Sequence, residues 1–240
     1  MTTTTTLLAT ALAGLALACG GDDGGGRGAA PPAGGTVAAA PDTTWRDLFD
    51  GATTDGWRGY RQETAPAGWQ VVDGTLARVD AAGDIITEEQ FGDFELELEW
   101  QISPGGNSGI FYRATEDAEY VYETAPEMQV LDDAGHPNGQ DPLTSAGSDF
   151  GLYPAPRGVV KPAGEWNAVR IVAQGAHIEH WLNGVKVVEY DLWSPDWEAR
   201  VAASKFAEWP GYGRATRGHI GLQDHGDRVA YRSIRIRELP

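Results

Sequence analysis

A single cysteine, Cys19, stands in 240 residues, which excludes any disulfide within the chain. It lies ahead of every tryptophan, so a core or catalytic role does not fall to it. Basic residues are scarce too: 18 Lys and Arg against 35 Asp and Glu leave a formal charge of −17. A chain this acidic offers no field for a phosphate backbone, which sets nucleic acid aside and favours a neutral or cationic ligand, though acidity also simply keeps an exported protein soluble. Several catalytic signatures are missing as well. No HExxH, CxxC or EF-hand loop is written, no GxSxG elbow runs from strand to helix, and no helix follows Gly105-Gly106 to hold a phosphate.

Aromatic residues are absent from the first 44 positions, which are mostly Thr, Ala, Gly and Pro, and all nine Trp lie at or after Trp45. Such a stretch buries too little apolar area to offset chain ordering. Within it, Leu7 to Ala18 is an apolar run of about a dozen residues, too short to span a membrane and suited to a signal-peptide core. It ends in ALAC, and the flexible GGDDGGGRG tract follows. The segment resembles a bacterial lipoprotein signal, with Cys19 lipidated and the only membrane attachment made through that lipid. The expected organisation is a signal over 1–19, a disordered linker over 20–44 and one domain over 45–240. The expected location is the periplasm or cell envelope.

From Trp45 onward the punctuation is that of antiparallel strands. Trp69–Val72 and Thr75–Val79 flank Asp73-Gly74, and His177–Leu182 and Val185–Tyr190 flank Asn183-Gly184; both dipeptides favour the positive φ angles of two-residue hairpin turns. Asp93 to Ile102 alternates strictly, with Phe94, Leu96, Leu98, Trp100 and Ile102 on one face and Glu95, Glu97 and Glu99 on a solvated one. Trp166–Gly175 and Arg228–Leu239 read as further strands, the last slipping near Ser233 as a bulge would. Helical signal is confined to Pro195–Phe206, with Ser194 as its N-cap. Many short strands and one short helix predict an all-β sandwich of two antiparallel sheets, a jelly roll. Asp132 to Pro162 reads as a structured loop across one sheet face.

Three segments carry the chemistry: NSGIFYR (Asn107–Arg113), PEMQVLDD (Pro126–Asp133) and GHIGLQDHG (Gly218–Gly226). They place amide, carboxylate, guanidinium and imidazole groups on strands where ordinary alternation would put well-solvated residues, the pattern of a sheet floor that binds a polar ligand such as a sugar. Glu127, Gln129 and Leu131 share one face of their strand, and Met128, Val130 and Asp132 the other. Gln223 and His225 pair with Asp224 pointing away, and Asn107, Gly109, Phe111 and Arg113 form one set; the opposite register would present Ser108 and Tyr112. A surface joining Glu127, Gln129, Arg113, Gln223 and His225 could hydrogen-bond sugar hydroxyls and offer a base. His225 could equally cap a turn before Gly226, Glu127 could be a surface residue, and His180 either lines the site or does not. No motif requires a cofactor. A divalent ion such as Ca²⁺ is compatible with Asp132-Asp133 followed by His136, residues that serve as well to solvate a turn.

Taken together, WQVVDGTL, GDIITEEQFGDFELELEW, GGNSGIFYR, PEMQVLDD, GEWNAVRIV, EHWLNGVKVVEY, ASKF and GHIGLQDHG resemble the 3-keto-disaccharide hydrolase family, also described as 3-keto-glucoside 1,2-lyase/3-keto-2-hydroxy-glucal hydratase. The resemblance runs from Trp45 to Leu239 in order. Ala125 replaces a Gly common in relatives, and Ser148-Asp149 replaces a more apolar pair. The resemblance implies a concanavalin A-like jelly roll related to laminarinase-type glucanases, and exported proteins that act on oxidised sugars.

Retaining glucanases need two carboxyls about 5–5.5 Å apart, which they write as Glu-x-Asp-x-Glu on one strand. The corresponding positions here are Glu127, Gln129 and Leu131. A 3-keto-glycoside asks for less, because the ketone acidifies the C2 proton and elimination of the C1 substituent followed by hydration gives net hydrolysis. The expected base is Glu127 or His225, with Arg113, Lys161 or a metal stabilising the oxyanion. Asn107, Gln129, Asp132, His180, Trp181 and Gln223 are expected to hold the substrate. The rival reading is a lectin-like module on the same fold that binds sugar without chemistry.

Overall fold

Asp73-Gly74 and Asn183-Gly184 adopt positive φ at both positions (50° and 75°, 50° and 82°), the backbone their sequence predicts, and each closes a hairpin of the larger sheet. The computed structural model describes residues 43–240; the signal, Cys19 and nearly all of the expected linker lie outside the described residues. In chain order the strands are β1 (Arg46–Asp47), β2 (Trp57–Gly59), β3 (Trp69–Val72), β4 (Thr75–Arg78), β5 (Ile85–Phe91), β6 (Phe94–Ile102), β7 (Asn107–Ala114), β8 (Glu127–Leu131), β9 (Asn167–Gln174), β10 (His177–Leu182), β11 (Val185–Asp191), β12 (Gly218–Leu222) and β13 (Val229–Glu238). The larger sheet runs β11-β10-β9-β6-β13-β4-β3, with β1 beside β13, and the smaller runs β2-β5-β12-β7-β8. Every pairing is antiparallel. This is the all-β, two-sheet jelly-roll sandwich that the strand pattern predicts.

The alternation of β6 sends Leu96, Leu98, Trp100 and Ile102 into the space between the sheets, where they meet Ile110 and Tyr112 of β7, Met128 and Val130 of β8, and Ile220 and Leu222 of β12. The opposite face of β6 is less solvated than its glutamates suggest. Glu95 is buried between Arg170 and Arg237, Glu97 pairs with Arg235 and Glu99 with Arg232, a cross-strand ladder of opposite charges. Ser233 has a φ of 52°, and the register of β13 against β6 shifts between Arg232 and Arg235, so the expected bulge is present.

The helix α1 covers Pro195–Ala202, capped by Ser194 Oγ accepting the Trp197 N–H at 3.2 Å; it stops short of the expected Phe206 and gives way to a 3₁₀ turn over Lys205–Glu208. No helix among the described residues is long and apolar enough to cross a membrane.

The smaller sheet is covered on both sides. All eight residues of β7 and all five of β8 are buried, which one solvated face would forbid. Its inner face joins the core, while Ile86, Phe111, Ala114, Val121 and Ala125 form a second apolar cluster on its outer face. Loops roof that outer face around a cavity lined by Asn107, Glu127 and Gln129.

Candidate active site

The cavity has a volume of about 420 Å³ and is walled by Asn107, Glu127, Gln129, Gln223 and His225 together with Asp84, Lys205 and several tyrosines. The strands explain the floor. Phe111 lies opposite Glu127 and Gly109 opposite Gln129 across β7 and β8, so Asn107, Gly109 and Phe111 face the same way as Glu127 and Gln129. Gly109 is needed there because a Cβ on it would overlap the Glu127 carboxyl. The register presenting Ser108 and Tyr112 is not adopted: both are buried in the core, Ser108 against Tyr231 at 2.8 Å and Tyr112 against Tyr190 at 2.6 Å. Asn107 Oδ1 and Gln129 Oε1 are buried without a hydrogen-bond partner, two acceptors that a ligand's hydroxyl groups could satisfy.

Gln223 and His225 arrive on the loop between β12 and β13, and Asp224 between them points away, as alternation predicts. It is the anchor of that loop. Its Oδ1 accepts from Arg78 Nε at 2.7 Å and its Oδ2 from the Ala82 and Gly83 N–H groups at 2.7 and 2.9 Å, while Arg78 Nη1 donates to the Gly226 carbonyl at 2.7 Å. The Asp224 N–H donates in turn to Asp84 Oδ1 at 2.8 Å. One clasp on β4 of the opposite sheet thus positions both Asp84 and the segment bearing Gln223 and His225.

Electrostatics separates Glu127 and Asp84, two of the acidic residues that line the cavity. Burial pushes Glu127, 6% exposed, up to about 8; the Lys205 ammonium and the Gln223 amide oppose the rise, and Asp84 and Asp149 add to it. Asp84 is pushed up to about 6, again by burial, with the Asp224 N–H holding it back. At neutral pH Glu127 is therefore mainly a carboxylic acid and Asp84 mainly a carboxylate. Two titratable groups in one cavity with values pushed apart are the arrangement acid and base catalysis uses.

The other expected site residues lie elsewhere. Arg113 sits in an irregularity where β7 loses register against β12, with a φ of 52°, and its buried guanidinium donates to the Gly92 and Gly175 carbonyls at 3.0 and 2.8 Å and pairs with Asp93 at 3.0 Å. It fastens the crossing from β5 of the smaller sheet to β6 of the larger onto the β9–β10 turn, and it does not line the cavity. Replacing Arg113 with Ala is expected to lower the unfolding free energy by about 2–4 kcal/mol, because the hydrogen bonds and packing of a buried side chain are lost together. Turnover per folded molecule should stay unchanged, as urea midpoints and activity on one preparation will show.

His180 and Trp181 are consecutive on β10 and so point to opposite faces. His180 is fully buried in the core against Tyr112 (3.0 Å) and the Gly147 carbonyl (3.2 Å), its pKa pushed down to about 4 by burial. Trp181 lies on the outer face of the larger sheet under the Arg170 guanidinium, 4.1 Å from its ring centre. Lys161 Nζ donates to the Trp166 carbonyl at 2.8 Å, in the loop before β9. Asp132, just past the end of β8, accepts from Gly105 N at 2.7 Å and Ala134 N at 3.2 Å, a turn-holding role. The other two residues suggested with Asp132 for a metal also hold backbone groups: Asp133 accepts from Ala146 N and His136 Nδ1 from Asn138 N. His177, Glu179 and Glu189 gather on β10 and β11, where Lys186 pairs with both glutamates at 3.1 and 2.6 Å.

Asp84, Lys205 and the tyrosines were not expected from the sequence. Asp84 stands between Gly83 and the apolar start of β5, and Lys205 follows the helix within ASKF; both segments carry the family resemblance, but only the fold brings these two side chains to Glu127.

Comparison with known proteins now decides the relationship. Residues 44–237 match the family described as 3-keto-alpha-glucoside-1,2-lyase-like domain. The chain belongs to that family. A 3-keto-disaccharide hydrolase of Bacteroides thetaiotaomicron is 38% identical over 224 residues, covering 80% of this chain and 77% of that protein. A putative glycosyl hydrolase of Parabacteroides distasonis superposes with a TM-score of 0.75 at 31% identity, over 82% of this chain and 94% of that one. A Bacillus subtilis protein with a galectin-like fold matches at a TM-score of 0.50 and 12% identity, over 83% of this chain and 96% of that one, a likeness of fold alone.

Behind the site, Ser148-Asp149 brings an acid into the core. Asp149 bridges to Met128 on the inward side of β8 and is fully buried, and neither carboxyl oxygen has a hydrogen-bond partner. Burial pushes it up to about 8, with the nearby Tyr190 hydroxyl opposing. A folded-state value raised above the ordinary carboxylate range contributes stability that is complete below about pH 4 and is lost as pH rises to about 8. Glu127 titrates over the same window and Asp84 over its lower part, so the Asp149→Asn variant, with one such group fewer, should lose stability less steeply between pH 5 and pH 8. Urea midpoints at the two pH values measure the difference, at about 1.4 kcal/mol per unit per group.

Proposed function

We propose that this protein is an exported carbohydrate-active enzyme that cleaves 3-keto-glycosides at the Glu127 cavity by elimination and hydration. The observation that carries the reading is the placement of Lys205. Conventional glycoside hydrolysis passes through an oxocarbenium-like, positively charged transition state, which an ammonium in the same cavity opposes. Elimination next to a ketone instead develops negative charge on the C3 oxygen, which an ammonium favours.

Asp84, ionised at neutral pH, takes the proton from C2, and the C–H electrons form the enolate. As the enolate collapses back to the C3 ketone, the C1–O bond breaks and Glu127 gives its proton to the departing oxygen. Water then adds across the C1–C2 double bond, hydroxyl to C1 and proton to C2, which returns a 3-keto sugar. Glu127, expected with His225 as one of two candidate bases, thus acts as the acid of the first step, and Lys205 takes the place expected of Arg113, Lys161 or a metal. Asn107, Gln129, Gln223 and His225 hold the sugar hydroxyls. The export signal expected over residues 1–19 would set the reaction in the cell envelope.

The test is purified protein given a 3-keto-glucoside and its C3-hydroxyl parent in deuterated water. Cleavage of the keto form alone, with deuterium at C2 of the product, supports the reading. Cleavage of both without exchange points to ordinary hydrolysis, and saturable binding with no turnover points to a lectin.

A further inference from the structure

The loop joining β7 to β8 carries the least buried large apolar residue of the cavity wall. Tyr120 is 48% exposed, and only Val185 among the other large hydrophobic residues described is comparably open. One exposed aromatic is ordinary on a protein surface. This one lines the catalytic cavity, and its face is laid flat on Tyr122, ring centres 5.3 Å apart and planes within 6°. Tyr122 is itself braced edge-on by Trp209 at 5.4 Å.

The loop is fixed before any ligand arrives. Glu123 Oε2 accepts from the Glu119 and Tyr120 N–H groups at 2.9 and 3.1 Å, and the Tyr60 hydroxyl lies 3.1 and 2.9 Å from the Thr115 and Ala118 carbonyls. Thr124 Oγ1 ties the base of the loop to Thr115 at 3.1 Å. A rigid aromatic at a cavity mouth presents apolar area at little cost in ordering, which is what stacking on a flat ring requires.

We infer that the Tyr120–Tyr122 stack is a subsite for the leaving group of the glycoside, and that it selects a ring-shaped one. The inference rests on the reading of the reaction given above. The reacting sugar must sit on the polar floor beside Glu127, Asp84 and Lys205, so the group leaving C1 points to the rim, where Tyr120 stands. A second sugar ring through its C–H face and an aryl group through its π face are the two occupants with this shared chemistry.

The experiment compares wild type, Tyr120→Ala and Tyr120→Phe on three 3-keto-glucosides that differ only in the leaving group: methanol, a glucosyl unit and 4-nitrophenol. Tyr120→Ala is expected to raise KM about 3–10-fold for a ring-bearing substrate with kcat little changed, to leave the methyl glycoside within about twofold, and Tyr120→Phe to behave as wild type. An effect on the disaccharide alone assigns the subsite to sugar, and on the nitrophenyl substrate alone to aryl groups. Equal changes on all three substrates, or none, overturn the inference. If wild type cleaves none of them, the proposed reaction falls, and the subsite is judged by calorimetric binding of the same glycosides. There, a loss in Tyr120→Ala confined to the ring-bearing ones sustains it, and unchanged binding rejects it.

Discussion

Glu127→Gln is expected to lower kcat/KM by about 10²–10⁴-fold, the range that one positioned proton donor or acceptor supplies, and to change the shape of the pH profile. On the proposed mechanism, the active form of the wild type has Asp84 ionised and Glu127 protonated. The rate should therefore climb through pH 6 and fall through pH 8, following the values to which burial raises Asp84 and Glu127. Glu127→Gln keeps the acidic limb and loses the alkaline one, while Asp84→Asn does the reverse with a comparable loss. Initial rates from pH 5 to 9.5 on a 3-keto-glucoside, with urea midpoints alongside, read both outcomes. A wild-type rate that keeps rising beyond pH 9 would show Glu127 to be the base and remove Asp84 from the first step.

The second large effect belongs to Lys205. Its ammonium lies 4.7 Å from the Phe150 ring centre and 5.5 Å from that of Tyr122, on the cavity wall, and it is the foremost influence lowering the Glu127 pKa. Lys205→Met should cost about 10²-fold in kcat, the low end for loss of one oxyanion-stabilising group, since this side chain is exposed. A purely structural lysine could give a loss of that size. It could not give the second signature, an alkaline limb displaced upward because Glu127 has lost the charge that held its proton less tightly. Stopped-flow or steady-state profiles of the variant and of Lys205→Arg check this, with Lys205→Arg restoring the limb.

How much of this was legible in the sequence follows from the range over which each signal acts. The hairpin turns at Asp73-Gly74 and Asn183-Gly184, the Ser194 cap and the bulge near Ser233 are local, each fixed by a few residues and their φ preferences, and each was readable. So was the shared face of Glu127 and Gln129, because a strand's period of two needs no partner. The same rule failed at Arg113, where β7 and β12 fall out of register and the backbone turns left-handed, an event no single strand announces. For His180 and Trp181 alternation fixes that they diverge, but which face is buried depends on the sheet packed against β10. Asp84 and Lys205 were invisible for a plainer reason. Both lie in segments that carry the family resemblance, Asp84 in GDIITEEQF and Lys205 in ASKF, but nothing in those segments assigns them a role, and they join Glu127 through contacts across the whole domain.

The Arg78–Asp224 clasp has a consequence for how activity is lost. It belongs to both sheets at once, since Arg78 stands on β4 of the larger one while Asp224 follows β12 of the smaller. The wall bearing Asp84, Gln223 and His225 therefore has no freedom to melt by itself. Heat or denaturant should extinguish turnover and dismantle the sandwich in a single cooperative step, rather than silencing the enzyme while the scaffold still stands.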